Sequence, residues 1–223
     1  MVKHGHGKAE SLGSIPSCGL ISKIMNKQQL IQELKKEGFS DKILKAFETI
    51  KREDFIPEKF KEYAYENEPL PIEEGATISQ PYTIAFMLNL LELKDNQKIL
   101  EIGSGSGYVL ALINEISKNS EIYGIERIKG LVESSKKILK DGKNIQIIQG
   151  DGSKGLKEKA PFDRILVSAS ADKIPESLFE QLSKNGILVL PVQNSIFQIK
   201  KINNQIIEKE FRGFVFVPLI EKE

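Results

Sequence analysis

One segment of the chain joins a strand pattern to closely spaced glycines and then to a helix pattern. Residues 99–102 are apolar except for Glu101. Three glycines follow at alternate positions: Gly103, Gly105 and Gly107. Apolar residues then recur at helical spacing between Val109 and Ile116. Glycine lets the backbone turn sharply and lets a ligand approach it, because no side chain intervenes. The segment therefore predicts a strand, a ligand-binding turn and a helix.

The spacing of the glycines indicates which ligand suits this turn. The dinucleotide fingerprint Gly-x-Gly-x-x-Gly requires a third glycine at position 108, where this chain has Tyr108. A Gly-x-Gly-x-Gly turn, with Glu101 two places before its first glycine, resembles the first motif of S-adenosylmethionine-dependent methyltransferases. A turn with a purely structural role is the alternative interpretation, and the rest of the chain has to decide between them.

The composition is that of an ordinary globular enzyme with no strong overall charge. The 223 residues include 32 basic and 31 acidic side chains, so no global field favours nucleic acid or an anionic membrane. The single cysteine, Cys18, cannot form an internal disulfide, which fits a reducing compartment. No apolar run approaches the about 18 residues of a membrane span, and no signal peptide is recognisable. We expect a cytoplasmic monomer that binds neither nucleic acid nor membranes.

Residues 1–24 differ from the rest of the chain in composition. They are rich in glycine and serine, show no periodicity, and contain both histidines, His4 and His6. A metal site at these histidines is the alternative to a flexible tail or a segment added ahead of a natural start at Met25. We expect the tail, no metal site, and one methyltransferase domain over residues 25–223.

Strand and helix patterns alternate after an amino-terminal helical region. Two helical patterns, with Ser40 as a candidate cap for the second, precede a helix from about Tyr82 to Leu91. Five strands are predicted near residues 97–102, 121–126, 145–149, 163–168 and 186–191. Helices are predicted near residues 107–117, 128–140 and 175–183. This order predicts a doubly wound parallel sheet with helices on both faces. Two further strand patterns, Ser195–Ile202 and Phe211–Leu219, flank the turn Asn203-Asn204 and predict an antiparallel hairpin at the sheet edge.

Two acidic residues stand at or just after the ends of the next two predicted strands. Glu126 comes 23 residues after Gly103, close to the interval of about 20 at which a carboxylate binds the ribose hydroxyls of an adenosine ligand. Asp151, within Gly150-Asp151-Gly152, follows the third strand, where it can meet an adenine amino group. An exposed strand end and a plain turn are the respective alternatives.

Further motifs resemble those of the protein-L-isoaspartate (D-aspartate) O-methyltransferases, and the resemblance extends from Met25 to Leu219. The discriminating block is Thr77-Ile78-Ser79-Gln80-Pro81, which matches the family's Thr-Ile-Ser-x-Pro; other methyltransferases share the glycine turn but not this block. The remaining matches are distributed along the chain: Ala64-Tyr65, Pro69–Ile72, Gly103–Tyr108, Glu126, Gly150–Gly152, Ala160–Asp163, Gln181-Leu182, Gly186, Leu190–Val192 and Val217–Leu219.

The resemblance implies a Rossmann-like methyltransferase fold and S-adenosyl-L-methionine as the cofactor. It implies that Ser79 is the active-site residue, whose hydroxyl orients the acceptor carboxylate without acting as a nucleophile. The implied cofactor-binding residues are Thr77, Ile78, Gly103, Ser104, Gly105, Gly107, Glu126, Asp151 and Gly152. The implied activity is methyl esterification of L-isoaspartyl residues in damaged proteins and peptides, which starts their repair, with D-aspartyl residues as a further acceptor left open.

The chain departs from the family pattern at a few positions. Gln193 replaces the usual glycine after Pro-Val, and the loop at Asn194-Ser195 is short. A helix-cap role for Ser79 is the alternative to an active-site role. Nucleic-acid methyltransferases are disfavoured because Val167–Ser170 lacks the motif of the adenine-N6 enzymes, and Cys18 is misplaced for a cytosine-C5 nucleophile. A different acceptor on the same fold, or a non-catalytic S-adenosylmethionine-binding protein, remains as an alternative.

Overall fold

The computed structural model describes residues 24–140, 142–171, 173–202 and 205–214. Within them a two-stranded sheet precedes a seven-stranded one. The strands are β1 (Leu70–Pro71), β2 (Thr77–Ile78), β3 (Lys98–Ile102), β4 (Glu121–Glu126), β5 (Ile145–Gln149), β6 (Phe162–Val167), β7 (Leu182–Val192), β8 (Ser195–Ile202) and β9 (Gln205–Arg212). The helices are α1 (Lys27–Lys36), α2 (Asp41–Thr49), α3 (Pro81–Leu91), α4 (Tyr108–Ile116), α5 (Lys129–Ile138) and α6 (Glu176–Glu180).

The large sheet has the strand order β5-β4-β3-β6-β7-β8-β9. Strands β3 to β7 run parallel, and β8 and β9 add to the β7 edge in antiparallel fashion. The chain winds outwards from β3 through β4 to β5, then returns to β6 on the other side of β3. The doubly wound sheet and the antiparallel edge hairpin expected from the sequence are therefore confirmed.

Apolar side chains of the central strands divide between two hydrophobic clusters. In β3, Ile99 joins one cluster, whereas Leu100 and Ile102 join the other. This alternation follows from the two-residue period of a strand, whose successive side chains point to opposite faces. Helices α1 to α4 contribute to the first cluster and α6 to the second, so both faces of the sheet are covered.

The amino-terminal helices form where the sequence predicted them. Asn26 caps α1 through a capping box with Gln29, each side chain accepting from the other residue's backbone N–H at 3.0 and 2.9 Å. Ser40 stands at the N-cap position of α2, but within the described residues its side chain makes no capping hydrogen bond. The apolar faces of both helices pack into the first cluster and place this extension beside α4.

Two boundaries differ from the predicted ones. The helix predicted near residues 175–183 ends at Glu180, and β7 begins at Leu182. The Gln181 carbonyl accepts the N–H of Phe162 at 2.8 Å, and Leu182 lies opposite Phe162 in β6. Pairing with the neighbouring strand therefore takes over from the helix one residue after its end.

The second strand of the hairpin also begins earlier than predicted. It spans Gln205–Arg212, with Gln205 opposite Ile202, whereas the predicted strand, Phe211–Leu219, begins at Phe211 and extends beyond the described residues. Antiparallel pairing propagates directly from the short connection, although residues 205–210 are polar or exposed and lack the pattern of a buried strand.

Some sequence expectations fall outside the described residues. These are the tail up to residue 23 with His4, His6 and Cys18, the turn Asn203-Asn204, and the closing motif Val217–Leu219. In the part of the chain that the structure describes, no helix has the length and apolar character needed to cross a membrane.

Candidate active site

A cavity of about 290 Å³ lies at the carboxyl ends of the parallel strands. Residues at or just after the carboxyl ends of β3, β4, β5 and β6 line it, and the loop between β1 and β2 lines it as well. Strand β3 stands between β4 and β6 at the point where the winding direction reverses. Ligands of open α/β sheets bind at such a switch point, because the loops on either side diverge and leave a crevice.

The glycine turn after β3 forms one wall of this cavity. Its three glycines, Gly103, Gly105 and Gly107, have backbone φ angles of +74°, +53° and +86°. Residues other than glycine rarely adopt this left-handed region. Gly103 and Gly105 line the cavity. Gly107 instead serves packing, since a Cβ there would lie 2.8 Å from Leu139 Cδ1. The described cavities do not include Gly107 among their lining residues, so a cofactor contact for it stays a prediction.

The Glu126 carboxylate connects the glycine turn to the start of α5. Its Oε2 accepts the N–H of Gly105 at 2.9 Å, and its Oε1 accepts the N–H of Ile128 at 2.8 Å. The side chain is 6% exposed and lines the cavity at the end of β4. Two backbone donors therefore fix the carboxylate in one orientation, and each oxygen retains a lone pair with which it can accept from a ligand hydroxyl.

The third strand brings its acidic turn to the same cavity. Asp151 is exposed at the cavity edge, and its Oδ1 accepts the N–H of Ser153 at 2.9 Å. Gly152 is buried behind it, where a Cβ would lie 2.5 Å from Ile102 Cγ2. A side chain at position 152 would thus push the turn away from β3, which explains why glycine is required there.

A second, smaller cavity of about 40 Å³ adjoins the first and contains the Thr-Ile-Ser segment. Thr77 lines both cavities, whereas Ile78 and Ser79 line only the smaller one. The N-cap of α3 is Gln80 and its first residue is Pro81. Ser79 therefore precedes the N-cap position of α3 and does not occupy it, and Ser79 lines the smaller cavity.

Buried polar groups also line the smaller cavity. Glu101 is 1% exposed, and its Oε1 accepts the hydroxyl of Ser168 at 2.7 Å. Its Oε2 and the hydroxyl of Ser104 have no hydrogen-bond partner among the described residues. Burial raises the pKa of Glu101 to about 8, the hydrogen bond from Ser168 lowers it in part, and the charge of Glu126 raises it. Unpartnered buried polar atoms are costly, so this pair is suited to a polar ligand group.

The structure thus brings nine of the ten predicted site residues to two adjoining cavities, Gly107 being the exception. Sequence alone did not assign Glu101, Ser168 or the β1–β2 loop residues Glu74 and Gly75 to the site. An acidic residue inside the apolar run of β3 was the available signal for Glu101, because a buried strand rarely carries an unpaired charge.

The raised pKa of Glu101 predicts a specific dependence of stability on pH. The folded chain holds this proton up to about pH 8, whereas the unfolded chain releases it near 4.5, its ordinary value. Between these values the folded state binds the extra proton, so the contribution to stability is present below pH 4.5 and is lost as the pH rises towards 8. Glu101→Gln removes the ionisation and should lessen the fall in unfolding free energy between pH 6 and pH 8 by about 2 kcal/mol.

Urea unfolding of both proteins at the two pH values measures this difference. The control is Glu121→Gln, which removes an exposed carboxylate at the first residue of β4. Its unfolding free energy should depend on pH as that of the wild type does. Parallel curves for Glu101→Gln and the wild type would contradict a raised pKa at Glu101.

Comparison with known proteins supports one family. The family model described as protein-L-isoaspartate(D-aspartate) O-methyltransferase matches residues 25–223. The protein-L-isoaspartate O-methyltransferase of Petrotoga mobilis is 47% identical over 197 residues, which cover 84% of this chain and 92% of that protein. The enzyme of the same name from Thermosipho melanesiensis is 44% identical over 198 residues, 86% of this chain and 100% of that protein.

Solved structures agree in fold. One, described as a protein-L-isoaspartate O-methyltransferase, has a TM-score of 0.79 and 29% identity, and covers 86% of this chain and 65% of that longer chain. A second, from Plasmodium falciparum in complex with S-adenosyl-L-homocysteine, has a TM-score of 0.77 and 30% identity, and covers 89% of this chain and 100% of that chain. The chain belongs to the protein-L-isoaspartate (D-aspartate) O-methyltransferase family.

Proposed function

We propose that this enzyme transfers the methyl group of S-adenosyl-L-methionine to the free α-carboxylate of L-isoaspartyl residues in damaged proteins and peptides. The observation that carries the proposal is the position of the Thr77–Ser79 segment. Thr77 lines the larger cavity, and the segment continues along the smaller cavity to Ser79. A carboxylate placed beside Ser79 would therefore lie next to the methyl donor. The resulting ester closes to a succinimide that reopens in part as normal aspartate, which is the repair role of the family.

The residues of the larger cavity fit an adenosine cofactor. Glu126 is fixed by two backbone N–H groups, and its free lone pairs can accept from both hydroxyls of a ribose. Asp151 lies at the end of the neighbouring strand, where it can accept from the adenine amino group. Towards the smaller cavity, Glu101 Oε2 and Ser104 Oγ have no partner among the described residues. These two atoms can satisfy the polar groups of the methionine part.

The chemistry asks little of the protein beyond placement. The bound cofactor supplies a methyl group activated by a positively charged sulfur. The acceptor carboxylate is already ionised at neutral pH, because its unperturbed pKa is about 4. No general base is required, and the site's contribution is to hold the reacting groups in line, which can be worth roughly 7–11 kcal/mol. Ser79 would donate its hydroxyl hydrogen to one carboxylate oxygen and leave the other directed at the methyl group.

We extend the proposal to the surroundings of the enzyme: a monomer in the cytoplasm that binds neither nucleic acid nor membranes. The formal net charge of +1 provides no global attraction for polyanions. The family resemblance leaves D-aspartyl residues open as a further acceptor.

The acceptor assignment can be tested with two peptides that differ only in the linkage of one aspartate. The isoaspartyl peptide presents an α-carboxylate on a backbone lengthened by one methylene, whereas its aspartyl twin presents the carboxylate on the side chain. A site shaped for the first leaves polar groups unpaired with the second, and such mismatches discriminate strongly. We expect a base-labile methyl ester on the isoaspartyl peptide and little on the aspartyl one.

Two other outcomes correspond to the alternative functions. Equal labelling of both peptides, or labelling of nucleic acid instead, would indicate a methyltransferase with another acceptor. Tight cofactor binding without methylation of any of these substrates would indicate a non-catalytic binding protein.

Replacement of Glu126 tests the ribose contact. Glu126→Ala should weaken binding of S-adenosyl-L-methionine by about 1.5–3 kcal/mol, the scale of hydrogen bonds to a charged group. Calorimetric titration measures the affinity, and circular dichroism verifies that the variant is folded. Glu121→Ala, at the exposed start of the same strand, should bind as the wild type does. Unchanged affinity in folded Glu126→Ala would remove Glu126 from the site.

Replacement of Ser79 separates orientation of the acceptor from binding of the cofactor. Ser79→Ala should lower kcat about tenfold to hundredfold, which corresponds to ~1.4–2.7 kcal/mol, while the cofactor affinity changes little. Ser134→Ala, which removes a hydroxyl from α5 that donates to Leu131 O, is the matched control. A kcat equal to that of the wild type would show that the Ser79 hydroxyl does not orient the acceptor.

A further inference from the structure

A single buried arginine connects the backbone of Ser79 to the chain segment that precedes β1. Arg52 lies in a 3-10 turn after α2 and is 0% exposed. Its Nη1 donates to the carbonyls of Ala64 and Glu66 at 2.8 and 3.2 Å. Its Nη2 donates to the carbonyls of Glu68 and Ser79 at 3.0 and 3.1 Å. All four terminal N–H groups of the guanidinium are therefore engaged by backbone.

The guanidinium of Arg52 is a buried positive charge that depends on the four carbonyls. Within the described ranges no carboxylate oxygen forms an ion pair with it. Burial lowers its pKa to about 10, which still leaves the guanidinium charged at neutral pH. A buried cation requires hydrogen-bond acceptors to replace water, and here four carbonyls supply them. The carbonyl of Ser79 is one of the four, so its position is tied to the charge.

The segment held by Arg52 has further attachments that end near Ser79. The Tyr65 hydroxyl donates to Glu53, the residue after Arg52. The Asn67 Oδ1 accepts the N–H of Tyr82 at 2.9 Å, in the first turn of α3. Segment 64–68 thus contacts the backbone on both sides of the Ser79–Pro81 connection, directly at Tyr82 and through Arg52 at Ser79.

We propose that Arg52 is a positioning residue for methyl transfer: by clamping segment 64–68 and the Ser79 carbonyl, it sets the direction in which the Ser79 hydroxyl meets the acceptor carboxylate. Arg52 contacts the backbone of Ser79 and acts through that residue. The proposal rests on the proposed function, because it assigns a role within that reaction. Lysine cannot replace arginine in this role, since its ammonium group has three donors and no planar fork to match four carbonyls.

The test compares Arg52→Lys with a matched change at a second buried arginine. Arg164 is 5% exposed and donates to the carbonyls of Glu92 and Asp163, near the amino-terminal end of β6 and away from the cavities. Methyl transfer to an isoaspartyl peptide and cofactor affinity are measured for both variants. We expect Arg52→Lys to lower kcat at least tenfold with cofactor affinity within twofold of the wild type. Arg164→Lys should lower thermal stability while its kcat stays within twofold.

A double-mutant comparison with Ser79→Ala distinguishes positioning from general support of the fold. If Arg52 acts through Ser79, Arg52→Lys should reduce kcat much less in the Ser79→Ala background, because the hydroxyl that it positions is already absent. If Arg52→Lys lowers kcat by the same factor in the wild-type and the Ser79→Ala backgrounds, the proposal is overturned. An unchanged kcat in folded Arg52→Lys would overturn it as well.

Asn67 provides a second test that leaves the buried cation in place and therefore applies even if Arg52→Lys does not fold. Asn67→Ala removes the acceptor for the Tyr82 N–H, whereas Asn67→Asp keeps an oxygen there. We expect Asn67→Ala to lower kcat at least threefold and Asn67→Asp to restore it. Wild-type kcat in Asn67→Ala would overturn the proposed clamp.

Failure of the proposed function is recognised separately, because the wild-type enzyme itself would then not methylate the isoaspartyl peptide. The role assigned to Arg52 would fall with it.

Discussion

The hydrogen bonds of the Glu126 carboxylate hold together two of the turns that line the larger cavity. One oxygen accepts the N–H of Gly105 after β3, and the other accepts the N–H of Ile128 before α5. The carboxylate stands at the end of β4, so these two hydrogen bonds fix both turns relative to that strand. The same side chain therefore orders the two turns and, under the proposed function, offers lone pairs to a ribose, so we expect a change there to alter both local structure and cofactor binding.

Local patterns made most of the fold predictable. The glycine turn, the alternation of strands and helices, and the helical extension depend on spacing within short windows, and each formed where expected. The errors occurred where tertiary pairing overrides local preference. Strand β9 is exposed along almost its whole length and pairs with β8 from Gln205 onward, and β7 begins at Leu182 because it pairs with Phe162.

Only the part of the candidate site that consists of short sequence motifs was predictable from the sequence. Glycines, strand-end carboxylates and the Thr-Ile-Ser block stand in recognisable order along the chain. Glu101 and Arg52 acquire their roles from burial and from partners far away in sequence, such as Ser168 and the Ser79 carbonyl. Periodicity marks Glu101 as unusual within an apolar strand, but nothing local identifies the four carbonyls that surround Arg52.

The electrostatics of the smaller cavity suit a reaction in which opposite charges cancel. Methyl transfer from a sulfonium to a carboxylate yields a neutral ester and a neutral thioether, so apolar surroundings such as Ile84, Met87 and Leu166 disfavour the separated charges more than the transition state. A permanently ionised acid beside Ser79 would repel the acceptor. With its pKa raised to about 8, Glu101 is mainly protonated at neutral pH and avoids that repulsion. Burial of Glu101 therefore suits the smaller cavity to an anionic acceptor, while its Oε2, which has no partner among the described residues, remains available to a polar ligand group.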